Sequence, residues 1–236
     1  MHSIFKRPRS KSTIKRSELI RLTKPLDSAF LPISYFEAFE DKRGYDIDKR
    51  FPTDLRDGGI ERLLQDHWNS IAPSIYTLND YDLGFDASRA GCEWAACLRV
   101  RDPSAVILRV YPRDRYSGGA HILCQLLSSL ICNFATLARD ELDNVPDLSK
   151  ANFEILAQGG AVGVSVGLRI LEALPPFQFP WKMLCVVDGL GLAKTDSTIN
   201  EVAQLKAILE RIITRNRGHL LYTVAKQDRT SEYRSR

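Results

Sequence analysis

The stretch "WKMLCVVDGLGLAKTDSTINEV", residues 181–202, decides the fold class of this 236-residue chain. Its apolar run at 183–188 predicts a buried β-strand that ends at Asp188, and the glycines after it predict a tight turn. The next helix is expected to begin with a capping box formed by Thr198 and Glu201. Because an aspartate at the end of a strand can hold the magnesium of a nucleoside triphosphate, the role of Asp188 is the first question.

Three further segments read as strands and alternate with helical segments. "PSIYTL", "AVILRVYP" and "HLLYTVA" are short apolar runs, whereas "GGAHILCQLLSSLICNFATLAR" predicts a core helix at about 119–139 whose apolar positions nearly encircle it. This order predicts an α/β fold, a mostly parallel sheet with helices on both faces. The ligands of such sheets bind at the carboxyl ends of the strands, where Asp188 would stand. The strands are expected at about 74–78, 105–111, 183–188 and 219–225.

Composition limits the class of protein. The chain has 44% apolar and 26% charged residues, and Gln125, Ser128 and Ser129 interrupt the longest apolar run before it reaches the ~18 residues of a membrane span. Five cysteines, an odd number that lie mostly in apolar periodic segments, favour reduced buried thiols. We therefore expect an intracellular protein, cytoplasmic or nuclear, without a membrane partner. No residues have metal-ligand spacing, so no metal is expected.

The charge is unevenly distributed along the chain. Residues 1–25 hold eight Lys or Arg and one Glu, which is +7, so with a total of +4 the remaining chain carries −3. We expect this polar arm to be disordered. It is interpreted as a nuclear localisation signal, a nucleic-acid contact, an organelle transit peptide or a plain solvated tail. The residues that would carry nucleic-acid binding or targeting are Lys6, Arg7, Arg9, Lys11, Lys15 and Arg16.

The sequence divides into four predicted parts: a basic disordered arm at 1–25, a helical or irregular extension at 26–72, an α/β domain at 73–229 and a polar tail at 230–236. In the extension, only "GGIERLLQDHWNSI" has a helical period. Its His67 is interpreted as a surface or packing residue, because no Cys, His or acid lies at helical spacing from it. "GGAVGVSVG" is interpreted as a packing face of small residues between two helical pieces rather than as a close-approach segment for a ligand.

The α/β part resembles a known family. "MLCVVDGLGL" looks like the Walker B strand of the NACHT-like, nephrocystin-like N-terminal P-loop NTPase domains, of the STAND class, in fungal signalling proteins. "AHILCQLLSSLI" after "AVILRVYPRD" is similar to the helix that follows their second strand, and "GHLLYTVAKQDR" resembles their sensor strand. The resemblance covers about 73–229. It implies a P-loop-NTPase-like fold, a signalling role and protein partners.

Two departures argue against NTPase activity. The family has a GxxxxGK[ST] loop that cradles phosphates, whereas the corresponding "NDYDLGFDAS" has one glycine, no lysine, and Asp80, Asp82 and Asp86. Each carboxylate ~4 Å from a phosphate costs about 1 to 4 kcal/mol. Gly191 and Leu192 stand where the family has acids that polarise the attacking water. We therefore expect a non-catalytic module without a cofactor, in which the aspartate at the strand end is a turn residue.

An atypical switch that binds ATP or GTP weakly, with magnesium, is the alternative. Its phosphate contacts would come from Arg113 and Arg115 in the loop "VYPRDRYSGGAH", or from Lys194 and Thr195 at a helix entrance, with Asp188 as the metal ligand. A nucleic-acid binder that acts through the basic arm is a third hypothesis. No Ser, His and acid stand in the order that a nucleophile elbow requires, so no hydrolase is expected.

Overall fold

A computed structural model describes residues 13–30, 60–79, 87–112, 115, 117–143, 145–177 and 182–224. Within these ranges, strands and helices alternate around a central sheet. The strands are β1 (Thr13–Lys15), β2 (Ser74–Asn79), β3 (Val106–Val110), β4 (Glu141–Asp143), β5 (Met183–Asp188) and β6 (His219–Val224). The α-helices are α1 (Arg16–Phe30), α2 (Ile60–Asn69), α3 (Ala87–Arg101), α4 (Gly119–Leu137), α5 (Lys150–Gln158), α6 (Gly160–Ala173), α7 (Leu190–Ala193) and α8 (Ile199–Arg215), and a 3₁₀ turn spans Pro146–Leu148.

Four parallel strands form the central sheet in the order β2-β6-β5-β3. At the amino edge, Ser74 of β2 and Leu184 of β5 both lie opposite His219 of β6. At the carboxyl edge, Asp188 lies opposite Thr223. The predicted parallel sheet, with Asp188 at a carboxyl end, is confirmed.

Helices cover both faces of this sheet. On one face, α2 and α3 bury Leu64, Trp68 and Trp94 against Leu184 and Leu221 of the sheet. The other face packs into a larger apolar cluster to which α1, α4, α5, α6 and α8 contribute. A sheet whose two faces are both buried accounts for strands that read as continuous apolar runs. The predicted α/β class is confirmed.

Helix α4 is the central helix of the larger cluster. Even its polar residues Gln125, Ser128 and Ser129 are buried. By length and composition it could span a membrane, but 72% of its most apolar window is buried inside the fold. A helix that is apolar nearly all round is typical of a buried position, so the prediction of a core helix is confirmed.

The stretch "GGAVGVSVG" lies at the start of α6 and is itself helical, not a link between two helices as predicted. A Cβ atom on Gly167 would lie 3.0 Å from side-chain carbons of Leu127 on α4 and Leu156 on α5. A Cβ atom on Gly163 would lie 3.3 Å from Sγ of Cys124. The small residues therefore let α6 approach two helices closely, which confirms their interpretation as a packing face.

The prediction that residues 1–25 form a disordered arm is wrong for residues 13–25. β1 pairs antiparallel with β4, and α1 packs against α4 and α5. Leu19 and Leu26 of α1 are buried in the larger apolar cluster. These apolar residues recur at helical spacing among many charged ones, so the face they form is easily missed in a count of charge. Residues 1–12 lie outside the described residues.

The structure describes the side chains of three cysteines, and none of the three forms a disulfide bond. Cys124 and Cys185 are buried, and Cys132 is half-buried. Burial raises the pKa of Cys124 and of Cys185 to about 12. Since the thiolate is the reactive form, these two residues act as packing groups.

Candidate functional site

Asp188 ends β5 at the carboxyl edge of the sheet and is 2% exposed. The hydroxyl of Thr223, on the neighbouring strand β6, donates a hydrogen bond of 2.7 Å to Oδ1. The guanidinium of Arg115, in the loop after β3, donates to Oδ2 and forms an ion pair with it. Hydrogen bonds to a charged group are shorter and stronger than neutral ones. Both oxygens of Asp188 are therefore engaged by the protein itself.

The turn directly after Asp188 depends on Gly189. Its φ is 80°, in the left-handed region. A Cβ atom there would also lie 2.5 Å from Cδ of Pro112. Any other residue would meet both backbone strain and a clash with the proline ring. The predicted tight turn is confirmed, and α7 begins with the next residue.

Lys194 and Thr195 lie in the connection between α7 and α8, and both are exposed. Oγ1 of Thr195 lies 2.7 Å from Oγ1 of Thr198 and 3.1 Å from Oγ of Ser197. Thr198 donates to the carbonyl oxygen of Ala193 at 2.5 Å and makes no capping bond to α8, so the predicted capping box is wrong. The hydroxyls of Thr195 and Thr198 therefore stabilise the turn between α7 and α8 through hydrogen bonds within it.

The other predicted site residues are spread over the chain. Arg16 forms an ion pair of 2.9 Å with Asp140, and Lys15 is exposed on β1. Of the predicted nucleotide-binding residues, the structure brings Arg115 and Asp188 into contact. The predicted residues that lie outside the described ranges are Lys6, Arg7, Arg9, Lys11, Asp80, Asp82, Asp86 and Arg113.

The opposite, amino edge of the sheet carries a polar cluster that the sequence analysis missed. Oγ of Ser74 lies 2.9 Å from Nδ1 of His67 and 2.7 Å from Nδ1 of His219. The two imidazole rings meet edge to face with centroids 5.3 Å apart, and both residues are buried. Trp94 and Trp68 contact these rings. We call His67, Ser74 and His219 the His–Ser–His cluster.

Burial makes both histidines of this cluster weak bases. Burial, with His219 nearby, lowers the pKa of His67 from 6.5 to about 4. Burial, with Lys182 nearby, also lowers the pKa of His219. Desolvation disfavours the charged form of a histidine, so both rings are neutral at pH 7.

His67 was predicted to be a surface or packing residue; it is buried, which confirms the packing alternative, but its polar partners were missed. His219 lies 152 positions further along the chain, so no helical spacing could connect the two. The available signal was that Ser74 and His219 begin two predicted strands, which parallel pairing places side by side. Within the described ranges, no group of three or more His, Cys, Asp or Glu could hold a metal ion.

Comparisons with known proteins give a distant likeness. No protein-family model matches the chain, and no curated protein matches it. Among solved structures, a chain in the structure of Drosophila ORC bound to DNA is 11% identical, with a TM-score of 0.40. The match covers 99% of this chain and 49% of that chain, so this chain spans about half the length of the other. A TM-score this low carries no argument about function.

Proposed function

We propose that the chain is a NACHT-like module of intracellular signalling that works through protein interaction and does not hydrolyse nucleotide. The interaction part follows from the resemblance of "MLCVVDGLGL" and its neighbours to NACHT-like domains. The observation that supports the non-catalytic part is the state of Asp188, whose carboxylate is bound by Thr223 and Arg115.

A magnesium ion at this strand end would need a lone pair of the Asp188 carboxylate, directly or through a water. Here Oδ1 accepts from Thr223 and Oδ2 is paired with Arg115. The guanidinium is a fixed positive charge, and it would repel a cation brought to the same oxygens. Binding of magnesium would therefore place a second cation beside the Arg115 guanidinium, at a carboxylate that is 2% exposed and already accepts hydrogen bonds on both oxygens.

The composition of the segment that follows β2 in the sequence supports the same proposal. Phosphoryl transfer depends on positive groups that position the phosphates and stabilise the charge that develops on them. "NDYDLGFDAS" supplies three carboxylates and no lysine at the place where the resemblance puts the phosphates. Gly191 and Leu192 supply no acid to polarise a water. The positioning and the electrostatic parts of catalysis are both missing from this sequence.

Release of phosphate from ATP and GTP, with magnesium, by the full chain tests this proposal. We expect a rate equal to that of the buffer for the parent and for Asp188→Asn. The asparagine variant is the matched control, because it keeps an oxygen for the Thr223 hydroxyl and loses the charge that a metal would need. Metal-dependent release that the parent shows and Asp188→Asn lacks would contradict the proposal.

A nucleotide-binding switch is the second candidate, and the exposure of Arg115 favours it. Its side chain is 38% exposed, so a phosphate could reach it from solvent. If the guanidinium of Arg115 paired with a phosphate instead of with Asp188, Oδ2 of Asp188 would become available to bind magnesium. In that case Arg115→Met would abolish ATP binding, whereas in a module without nucleotide the variant changes stability alone.

A further inference from the structure

We infer that the His–Ser–His cluster is an acid-sensitive latch, which holds α2 against the amino edge of the sheet at neutral pH and releases this helix on acidification. The cluster joins three elements: His67 lies on α2, Ser74 begins β2 and His219 begins β6. It lies at the edge of the sheet opposite Asp188, so the inference is independent of the proposed function.

Two contacts tie the last turn of α2 to the sheet. Oγ of Ser74, besides its contacts with both rings, lies 3.3 Å from the carbonyl oxygen of His67. Nζ of Lys182, just before β5, donates to the carbonyl oxygen of Trp68 at 3.3 Å. The last carbonyls of a helix have no partner within it, so Lys182 satisfies one of these groups, and the Ser74 hydroxyl lies beside another.

The hydrogen bonds of the cluster can be satisfied when both imidazole rings are neutral, as a count of the available protons shows. Ser74 has one hydroxyl proton and lies between two Nδ1 atoms, so it can donate to one ring and accept from the other. Nε2 of His67 is buried and has no hydrogen-bond partner within the described part of the chain. A neutral His67 can keep its single proton on Nδ1 and leave Nε2 bare. A protonated ring must place an N–H on that buried atom without an acceptor, which is costly.

The groups around the cluster do not compensate a positive charge. Among the described residues, the titratable side chains near the rings are Tyr76 of β2, 5.8 Å from the His67 ring, and Lys182, which is itself a cation. Helix α3 contributes Trp94, which does not titrate. Asp66, the acid next to His67 on α2, is exposed. No carboxylate in the described ranges bonds either ring, so acid charges the cluster without a counter-ion.

Acid therefore weakens the attachment of α2 more than that of the rest of the fold. The pKa of His67 is about 4 in the folded protein and 6.5 where the ring is solvated. Protonation of His67 therefore shifts the equilibrium between attached and released α2 toward the released state by roughly 300-fold, compared with the neutral ring. Besides the cluster, the described contacts that hold α2 are the apolar side chains of Leu64 and Trp68 and the hydrogen bond from Lys182 to the carbonyl oxygen of Trp68. Release of the helix would bring Trp68, now 4% exposed, into water.

Quenching of tryptophan fluorescence by acrylamide, on the full chain, measures this release. As the pH falls from about 7.5 to about 4.5, we expect quenching to rise several-fold and reversibly, while the far-UV circular dichroism loses no more than the share of one short helix. A Trp68→Phe variant should lose the part of the pH-dependent quenching that comes from α2, and the part that remains should come from Trp94 of α3, against which the His67 ring packs. Loss of all helical signal together with the quenching transition would overturn the latch, because the whole fold would then be opening.

The matched variant is His67→Asn with His219→Asn, because an asparagine side chain places a polar atom near the position of Nδ1 and cannot become charged in this range. We expect this variant to stay closed at acid pH, and the control His121→Gln, at an exposed histidine of α4, to open as the parent does. If the double variant does not fold, NMR titration of the parent's histidine rings replaces it. Titration of both rings without a parallel rise in Trp68 exposure, or the same opening in the double variant, would overturn the inference.

Discussion

Replacement of Thr223 by valine tests whether Asp188 is held as a structural carboxylate. Thr223 is fully buried, and its hydroxyl donates to Oδ1 of Asp188 at 2.7 Å. Valine keeps the shape and removes the donor, so one oxygen of a buried charge loses its partner. A hydrogen bond to a charged group contributes about 1.5–3 kcal/mol. We therefore expect Thr223→Val to lower the free energy of unfolding by about 2 kcal/mol.

Urea denaturation measures this change as a lower midpoint at constant slope. The control is Thr77→Val on β2, at an exposed position of the same sheet, where we expect a change of no more than about 0.5 kcal/mol. In an Asp188→Asn background, Thr223→Val should cost about half as much, because a neutral acceptor forms a weaker bond. A cost for Thr223→Val as small as that of the control would refute the reasoning.

Three further predictions concern the turn, the latch and the N-terminal helix. Gly189→Ala should lower the thermal midpoint and decrease the free energy of unfolding by more than about 2 kcal/mol, because φ is 80° and a proline ring lies 2.5 Å from the new Cβ atom. Gly191→Ala is the control and should change neither, because its new Cβ atom would lie at an ordinary van der Waals distance from its neighbour. The folded-state pKa of His67 is depressed to about 4, so its contribution to stability is full above pH 6.5 and is lost as the pH falls; between pH 7 and pH 4 this loss is about 3 kcal/mol. The pKa of His219 is lowered too, so His67→Asn should reduce the pH dependence of the unfolding free energy in urea titrations, and His67→Asn with His219→Asn should remove the contribution of the cluster. In the same assay, Leu19→Ala should lower the free energy of unfolding by about 2–5 kcal/mol, because Leu19 is buried. Ile20 is 38% exposed, so Ile20→Ala should lower it far less. Equally small effects of the two substitutions would show that α1 is not part of the core.

Much of the α/β fold could be predicted from local patterns. β5 has the predicted bounds, and β6 begins at the predicted residue and extends to Val224, the last described residue. These strands are buried on both faces and flanked by turn residues, so their apolar runs are unambiguous. The helix α1 was not predicted, because its buried leucines lie among eight basic residues of the segment 1–25 and charge dominated the interpretation.

The contacts of the candidate site depend on the fold and could not be predicted from spacing. Arg115 was singled out as a phosphate ligand, and its pairing with Asp188 depends on how the loop after β3 reaches the end of β5. The His–Ser–His cluster combines His67 with two residues that meet through the register of β2 and β6. Sequence patterns give strand positions, but side-chain partners across a sheet follow from strand order and register.

The melting temperature of the full chain, with and without magnesium and ATP, tests the central claim most directly. A ligand at 100 times its dissociation constant would add ~2.7 kcal/mol to a fold that binds it, which is a shift of roughly 5–10 °C for a chain of this size. Because Asp188 is bound by Thr223 and Arg115, we expect no shift for the parent and none for Asp188→Asn. A magnesium-dependent rise in the melting temperature of the parent that is lost in Asp188→Asn would contradict the account and favour the nucleotide switch.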